Sequence, residues 1–285
     1  MQEKNTLNTK KAYLFGSPVS HSISPKMHNY SFDKLGVDAT YSAVDIALDN
    51  IDSVTSYIRS DDFLGANLTM PLKTGIIKYL DELDITSRLS GAVNTIVRKN
   101  DKLWGYTTDG AGFIDSLKEI DVEIPKKKIL ILGAGGAAKS IITKCAIDKA
   151  KKITIAKRFN KTINDVKAFA ENVSSETNCV VEVIDIEDRS ALKNAINNHD
   201  ILINATPVGM TSNNTLIDKS MLRPSLIVCD LIYEPEMTML LKDAKECGCK
   251  YINGKYMLLY QGARSFKLWT NKDMPVEEVK QKYFD

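Results

Sequence analysis

The chain has 285 residues, 44% hydrophobic and 26% charged, with a formal net charge of +2. That length suits two domains better than one small core, and the composition excludes both disorder and a fibrous fold. The near-balance of charge gives no basic face for nucleic acid, and no apolar run is long enough to span a bilayer.

The polar start, Met1 to Lys11, has no apolar segment behind its lysines and reads as a frayed tail, not a signal peptide. A strand is predicted over residues 12–16. Ser24-Pro25 then opens a helix, with Ser as N-cap and Pro in its first position. Strands are predicted at 40–46 and 64–69, with a helix over about 49–59 between them and another from Pro71 to about Leu80. Residues 93–98 and 102–106 flank an Asn-Asp turn and suit a hairpin.

The rhythm restarts at residues 128–132, a continuous apolar run of the kind buried on both faces of a parallel sheet. A helix follows from about Gly136, then a strand at 153–156, a helix over 162–171, and strands at 179–184, 201–204 and 226–230. Residues 256–270 and 275–283 are helical with no strand between them, so this last segment can return to the first domain. The alternation argues for an α/β protein of two domains, the second a Rossmann-like doubly wound nucleotide-binding domain. The expected division is 1–109 plus 254–285 as an N-terminal α/β substrate domain, and 110–253 as the nucleotide-binding domain.

The five cysteines are scattered, and Cys247-x-Cys249 has neither a second pair nor a nearby histidine. Reduced thiols in a cytoplasmic protein, with no metal site, are the expectation. Oligomeric state is not given by the sequence, and a homodimer is compatible with it.

Gly133-Ala134-Gly135-Gly136-Ala137-Ala138 follows the buried strand and opens a helix, fitting G-x-G-x-x-A. Small residues there allow a tight turn, close approach to a pyrophosphate and close helix–sheet packing, while the helix N-terminus faces the phosphates. The strand before and helix after raise the match above a bare glycine triplet. An NAD site places an acid at the end of the next strand; here Lys157, Arg158 and Lys161 stand there instead. A guanidinium can grip a 2′-phosphate that a carboxylate would repel, which favours NADP. Asn160 keeps NAD open, since an amide can also bond a ribose hydroxyl.

The first domain carries polar clusters that hydrophobic patterning does not require. Ser22 and Ser24 lie beyond the first strand. Asn67, Thr69 and Lys73 gather at the end of another, and Asn94 and Asp109 follow. Open α/β sheets bind ligands at that edge. With these residues, Asn204-Ala205-Thr206-x-x-Gly209-Met210, Asp230-Leu231-Ile232-Tyr233-x-Pro235 and Asn253-Gly254-x-x-Met257-Leu258-x-x-Gln261-Gly262-Ala263, the sequence resembles the shikimate dehydrogenase family over nearly its whole length.

The resemblance implies reversible reduction of 3-dehydroshikimate to shikimate with NADPH, in the aromatic-precursor pathway. It implies Lys73 and Asp109 as the catalytic pair, and Ser22 and Ser24 on the substrate carboxylate. Asn67, Thr69, Asn94, Asp109 and Gln261 would hold the ring hydroxyls, with Tyr233 nearby. Leu231 and Gly254 would line the nicotinamide side. The chemistry is sound: hydride delivery to a ketone builds negative charge on oxygen, which an ammonium stabilises and protonates. Closure of a cleft would exclude water. Where the family has Asn-Arg-Thr, this chain has Lys157-Arg158-Phe159, which keeps the arginine and alters its neighbours. A quinate/shikimate dehydrogenase using NAD is the near alternative, and Thr69, where the quinate-tolerant branch often has Ser, leans towards shikimate. The alternative of another class is a non-catalytic sensor of a cyclohexene carboxylate; retention of both Lys73 and Asp109 speaks against it. His21 and His28 are assigned no chemistry.

Overall fold

The computed structural model describes residues 9–285. Most of the expected frayed tail lies outside them, and Lys10 and Lys11 already belong to a strand. The chain divides into two compact units. One comprises the described residues up to Thr108 together with Leu259–Asp285, and the other is Asp109–Leu258.

The first unit contains β1 (Lys10–Gly16), α1 (Ser24–Lys34), β2 (Ala39–Asp45), α2 (Val54–Ile58), β3 (Phe63–Leu68), β4 (Glu82–Leu83), α3 (Ile85–Ser90), β5 (Thr95–Lys99) and β6 (Lys102–Tyr106). Its strands form one sheet in the order β2-β1-β3-β5-β6-β4. β1 runs parallel to β2 and β3, while β5 runs antiparallel to β3 and β6. The β5–β6 hairpin turns at Asn100 and Asp101, both left-handed with φ of 51° and 59°. Those residues tolerate the conformation that a tight hairpin turn demands at both central positions.

Two expected helices are not built as such. Residues 49–59 form a 3-10 stretch, Leu48–Ser53, irregular at Asn50, before the short α2. From Pro71 onward the chain makes turns and then a 3-10 stretch at Gly75–Tyr79. Gly75 sits so close to Ile51 that a Cβ there would come within 2.9 Å of its methyl, so packing overrides the apolar pattern that suggested a helix. Ser24 is also not the N-cap: it is the first residue of α1, and the Ser22 hydroxyl accepts its N–H at 3.2 Å.

The second unit contains α4 (Asp109–Leu117), β7 (Lys128–Leu132), α5 (Gly136–Ile147), β8 (Lys152–Lys157), α6 (Ile163–Thr177), β9 (Val180–Asp185), α7 (Arg189–Asn198), β10 (Ile201–Asn204), β11 (Ile227–Asp230), α8 (Met239–Glu246) and β12 (Lys250–Ile252). Its strands form a parallel sheet in the order β12-β11-β10-β7-β8-β9. The order reverses between β7 and β10, the doubly wound pattern that opens a ligand crevice at the strands' carboxyl ends. Ile129 and Ile131 pack on one face with residues of α4, α5 and α6. Leu130 and Leu132 pack on the other with residues of α7 and α8. That two-sided burial is why the strand reads as an unbroken apolar run.

Helix α9 (Lys255–Thr270) begins in the second unit and continues into the first, where α10 (Val276–Tyr283) follows.

Candidate active site and dinucleotide site

In the first unit, the parallel strands β1 and β3 end at one sheet edge, where antiparallel β5 begins and β6 ends. Main-chain bonds gather the loops there. Thr69 N donates to Phe15 O at 2.8 Å, Leu68 N to Asn94 O at 2.8 Å, and Asn94 N to Tyr106 O at 3.0 Å. Val93 N donates to the carbonyl of Lys73 at 2.8 Å, fixing the lysine's backbone beside Asn94. Gly16 approaches Thr69 and Met70 so closely that a Cβ would lie 2.2 Å from the Thr69 methyl. These main-chain bonds bring Asn67, Thr69, Lys73 and Asn94 to one sheet edge, with Thr69 and Lys73 half-buried, while Ser22, half-buried, and Ser24, buried, follow β1 on the loop and first turn of α1.

Beneath them runs a buried polar network. Asn67 Oδ1 accepts the Tyr41 hydroxyl at 2.9 Å, and its Nδ2 reaches Thr95 Oγ1 at 3.1 Å and Ser265 Oγ at 2.9 Å. Asn94 Nδ2 donates to Gln261 Oε1 at 3.1 Å and Thr108 Oγ1 at 3.0 Å, and Asn94 Oδ1 accepts the Thr108 N–H at 2.7 Å. Gln261 and Ser265 come from α9, one turn apart on the same face. Buried polar groups of this density are affordable only when mutually satisfied. Tyr41, Thr95 and Ser265 are absent from the sequence reading. The spacing of Ser265 four residues after Gln261 was the one available signal, whereas Tyr41 reads simply as a core aromatic.

His28 is fully buried, stacked on Tyr41 with centroids 4.4 Å apart, and neither ring nitrogen has a hydrogen-bond partner. Burial drives its pKa down to about 3, so it stays neutral. His21 is exposed.

In the second unit, Asp109 is buried in the first turn of α4. Gly110 N donates to Ser140 Oγ at 2.9 Å, seating that turn on α5. Gly133, left-handed at φ +97°, has Thr206 and Ala205 within 3.2 Å of where a Cβ would stand. Gly135 differs: nothing of the protein lies within 4 Å of its Cβ position, so the space over the N-terminus of α5 is open. Gly136 and Ala137 form the first turn of that helix, and Ala134 is half-buried before it. An open glycine at a helix N-terminus is the arrangement a pyrophosphate needs.

At the end of β8, Arg158 is exposed, while Lys157 Nζ turns back to Asn160 Oδ1 at 2.8 Å and Thr162 Oγ1 at 2.9 Å. Asn160 Oδ1 also accepts the N–H and hydroxyl of Thr162. The acceptor that could have bonded a ribose hydroxyl is thus spent inside the loop. The residues fit a dinucleotide whose ribose carries an anion.

Gly254 meets the backbone of Leu231, whose carbonyl oxygen would be 2.0 Å from a Cβ, so only glycine fits. The loop carrying Leu231 and exposed Tyr233 is anchored by Asp230, which accepts from Asn204 Nδ2 at 3.0 Å, Ile232 N at 3.1 Å and Thr238 Oγ1 at 2.7 Å. Burial raises the Asp230 pKa against the opposing pull of these bonds. Among the described residues no group of His, Cys, Asp and Glu could hold a metal ion, and no helix is long and apolar enough to cross a membrane.

Three family models match the chain in order. These are the shikimate dehydrogenase substrate binding domain over residues 14–96, shikimate / quinate 5-dehydrogenase over 116–230, and the shikimate 5′-dehydrogenase C-terminal domain over 256–282. A shikimate dehydrogenase (NADP(+)) of Listeria monocytogenes is 41% identical over 285 residues, covering 99% of this chain and 98% of its own. A quinate/shikimate dehydrogenase of Escherichia coli is 41% identical over 271 residues, 94% of each chain. The crystal structure of shikimate 5-dehydrogenase from Listeria monocytogenes, in complex with shikimate and NAD, matches with a TM-score of 0.92 and 41% identity over 99% of this chain and 98% of that one. On full-length likeness of sequence and fold together, the chain belongs to the shikimate dehydrogenase family.

Proposed function

We propose that this protein is an NADP-dependent shikimate dehydrogenase, interconverting 3-dehydroshikimate and shikimate. The observation that carries the reading is the buried amide-and-hydroxyl network at the first sheet's edge, a polar floor suited to a polyhydroxylated ring and unexplained by packing. When bound, NADP exchanges a hydride with the ring carbon that bears the reacting oxygen.

Lys73 supplies the proton and stabilises the developing alkoxide, and Asp109 is the second catalytic residue. Ser22 and Ser24 take the carboxylate; Asn67, Thr69, Asn94 and Gln261 read the ring hydroxyls, and Tyr233 is assigned to the substrate. Gly133, Ala134, Gly135, Gly136 and Ala137 receive the pyrophosphate, and Arg158 the 2′-phosphate. Leu231 and Gly254 flank the nicotinamide. Lys157 shapes the loop and adds positive charge to it. The domain roles follow: the unit with β1–β6 binds substrate and the unit with β7–β12 binds cofactor.

The same reading carries a cytoplasmic location and a homodimeric assembly, the latter checked by sedimentation of the purified protein. The test of the reaction is growth of reduced-nicotinamide absorbance with shikimate and NADP at alkaline pH, compared with quinate and with NAD. Oxidation of shikimate by NADP releases one proton overall, so alkaline pH favours that direction. Absence of any absorbance change would leave a ligand-binding protein without catalysis; a preference for quinate or NAD would select the other branch of the family.

A further inference from the structure

We infer that Ser265 is a positioning residue that makes Asn67 an acceptor, and not a donor, towards the substrate ring. The inference rests on the proposed reaction and deepens it at one subsite. Ser265 is fully buried on α9, and its hydroxyl donates back to the carbonyl of Gln261 at 3.0 Å. That spends its one proton and leaves its lone pairs to receive Asn67 Nδ2 at 2.9 Å, with the Thr95 and Thr108 hydroxyls 2.8 and 3.2 Å away.

The consequence falls on Asn67. A side-chain amide has two N–H donors and one carbonyl with two lone pairs. Both donors are occupied within the protein, by Ser265 Oγ at 2.9 Å, Thr95 Oγ1 at 3.1 Å and, more loosely, Asn94 O at 3.2 Å. The carbonyl takes one bond, from Tyr41 at 2.9 Å, and keeps one lone pair. The ring of His28 lies against that of Tyr41, 16° from parallel, and packs it in place. What Asn67 can offer a ligand is therefore a single acceptor. It accepts from a ring hydroxyl and rejects a ring position carrying only an acceptor, such as a ketone or an ether. Of the two faces an amide could turn to a ligand, Ser265 and Tyr41 select one.

The test compares wild type, Ser265→Ala and Tyr41→Phe, with shikimate and with each analogue lacking one of the two ring hydroxyls that are not oxidised. Ser265→Ala releases an N–H of Asn67 and is expected to raise the shikimate KM about tenfold, the scale of one misplaced hydrogen bond to a buried group. The NADP KM should stay within about twofold of wild type. With one of the two deoxy analogues the difference between variant and wild type should vanish, because the hydroxyl that Asn67 reads is gone; a merely structural defect would penalise all three substrates alike. Tyr41→Phe keeps the ring and loses only the other fixing bond, so it reports on the same amide if Ser265→Ala folds poorly. Wild-type turnover with an unchanged shikimate KM in both variants, or an equal loss with every analogue, overturns the role of Ser265. A wild-type chain inactive on shikimate overturns the reaction beneath it.

Discussion

Lys73 and Asp109 carry the proposed proton transfer, and each is held by its backbone before its side chain acts. The Lys73 carbonyl is tied to Val93, and Asp109 sits in a helix turn seated on Ser140. Lys73→Ala should lower turnover roughly 10²–10⁴-fold, the usual worth of a positioned acid–base group, with little change in shikimate KM. An effect on KM alone would mean that the lysine only binds. His28 gives a second prediction, on stability. Its pKa falls from 6.5 to about 3 on burial, so the unfolded chain takes up a proton that the folded chain refuses. Its contribution is whole above about pH 6.5 and is lost as pH falls towards 3. By about pH 5 the loss is about 2 kcal/mol. His28→Phe should keep the stacking and flatten the acid limb by that amount, read as the difference in urea midpoints at the two pH values. Equal acid sensitivity in both proteins would refute it.

Elements are placed by close approaches that only glycine allows, and these separate folding from binding. Gly65 on β3 lies under the Trp269 indole of α9, where a Cβ would come within 2.2 Å of ring atoms. The indole cannot step aside freely, because its N–H is bonded to Ile96 O at 3.0 Å. Gly65→Ala should destabilise the protein by about 1–3 kcal/mol, as overpacking does, visible in chemical denaturation. Gly135→Ala should behave in the opposite way. Its new methyl meets nothing of the protein, so stability should hold while NADP affinity drops at least about tenfold, the methyl standing where the pyrophosphate approaches. Unchanged NADP affinity would remove that turn from the cofactor site.

For the whole molecule, the two sheets divide the labour by topology. The first mixes parallel and antiparallel strands and collects side chains at one edge. The second is wholly parallel, and its order reverses beside the glycine turn. NADP that binds only the folded chain should stabilise it by about 2.7 kcal/mol at a hundred times its Kd, and NAD should do less at equal concentration. Arg158→Ser should weaken NADP much more than NAD in direct titration. Equal losses would show that Arg158 does not read the 2′-phosphate.

Much of this was legible in the chain itself, where local chemistry decides. The apolar run of β7, the glycine turn after it and the Asn-Asp hairpin turn each follow from burial or from backbone conformation, which short segments encode. The clusters around Ser22, Asn67 and Asn94 stood out in the chain because hydrophobic patterning gives no reason for them, and they carry the proposed site. Tertiary structure alone decided the rest. It turned the expected helix after Pro71 into turns and a 3-10 stretch, with Gly75 against Ile51. It placed Ser24 inside α1 with Ile23 as the N-cap, folded Lys157 back on Asn160, and brought Tyr41 and Ser265 onto the two ends of one amide. The physical reason is distance along the chain: Asn67 and Ser265 are 198 residues apart in sequence, and a hydrogen bond between them leaves no local pattern to read.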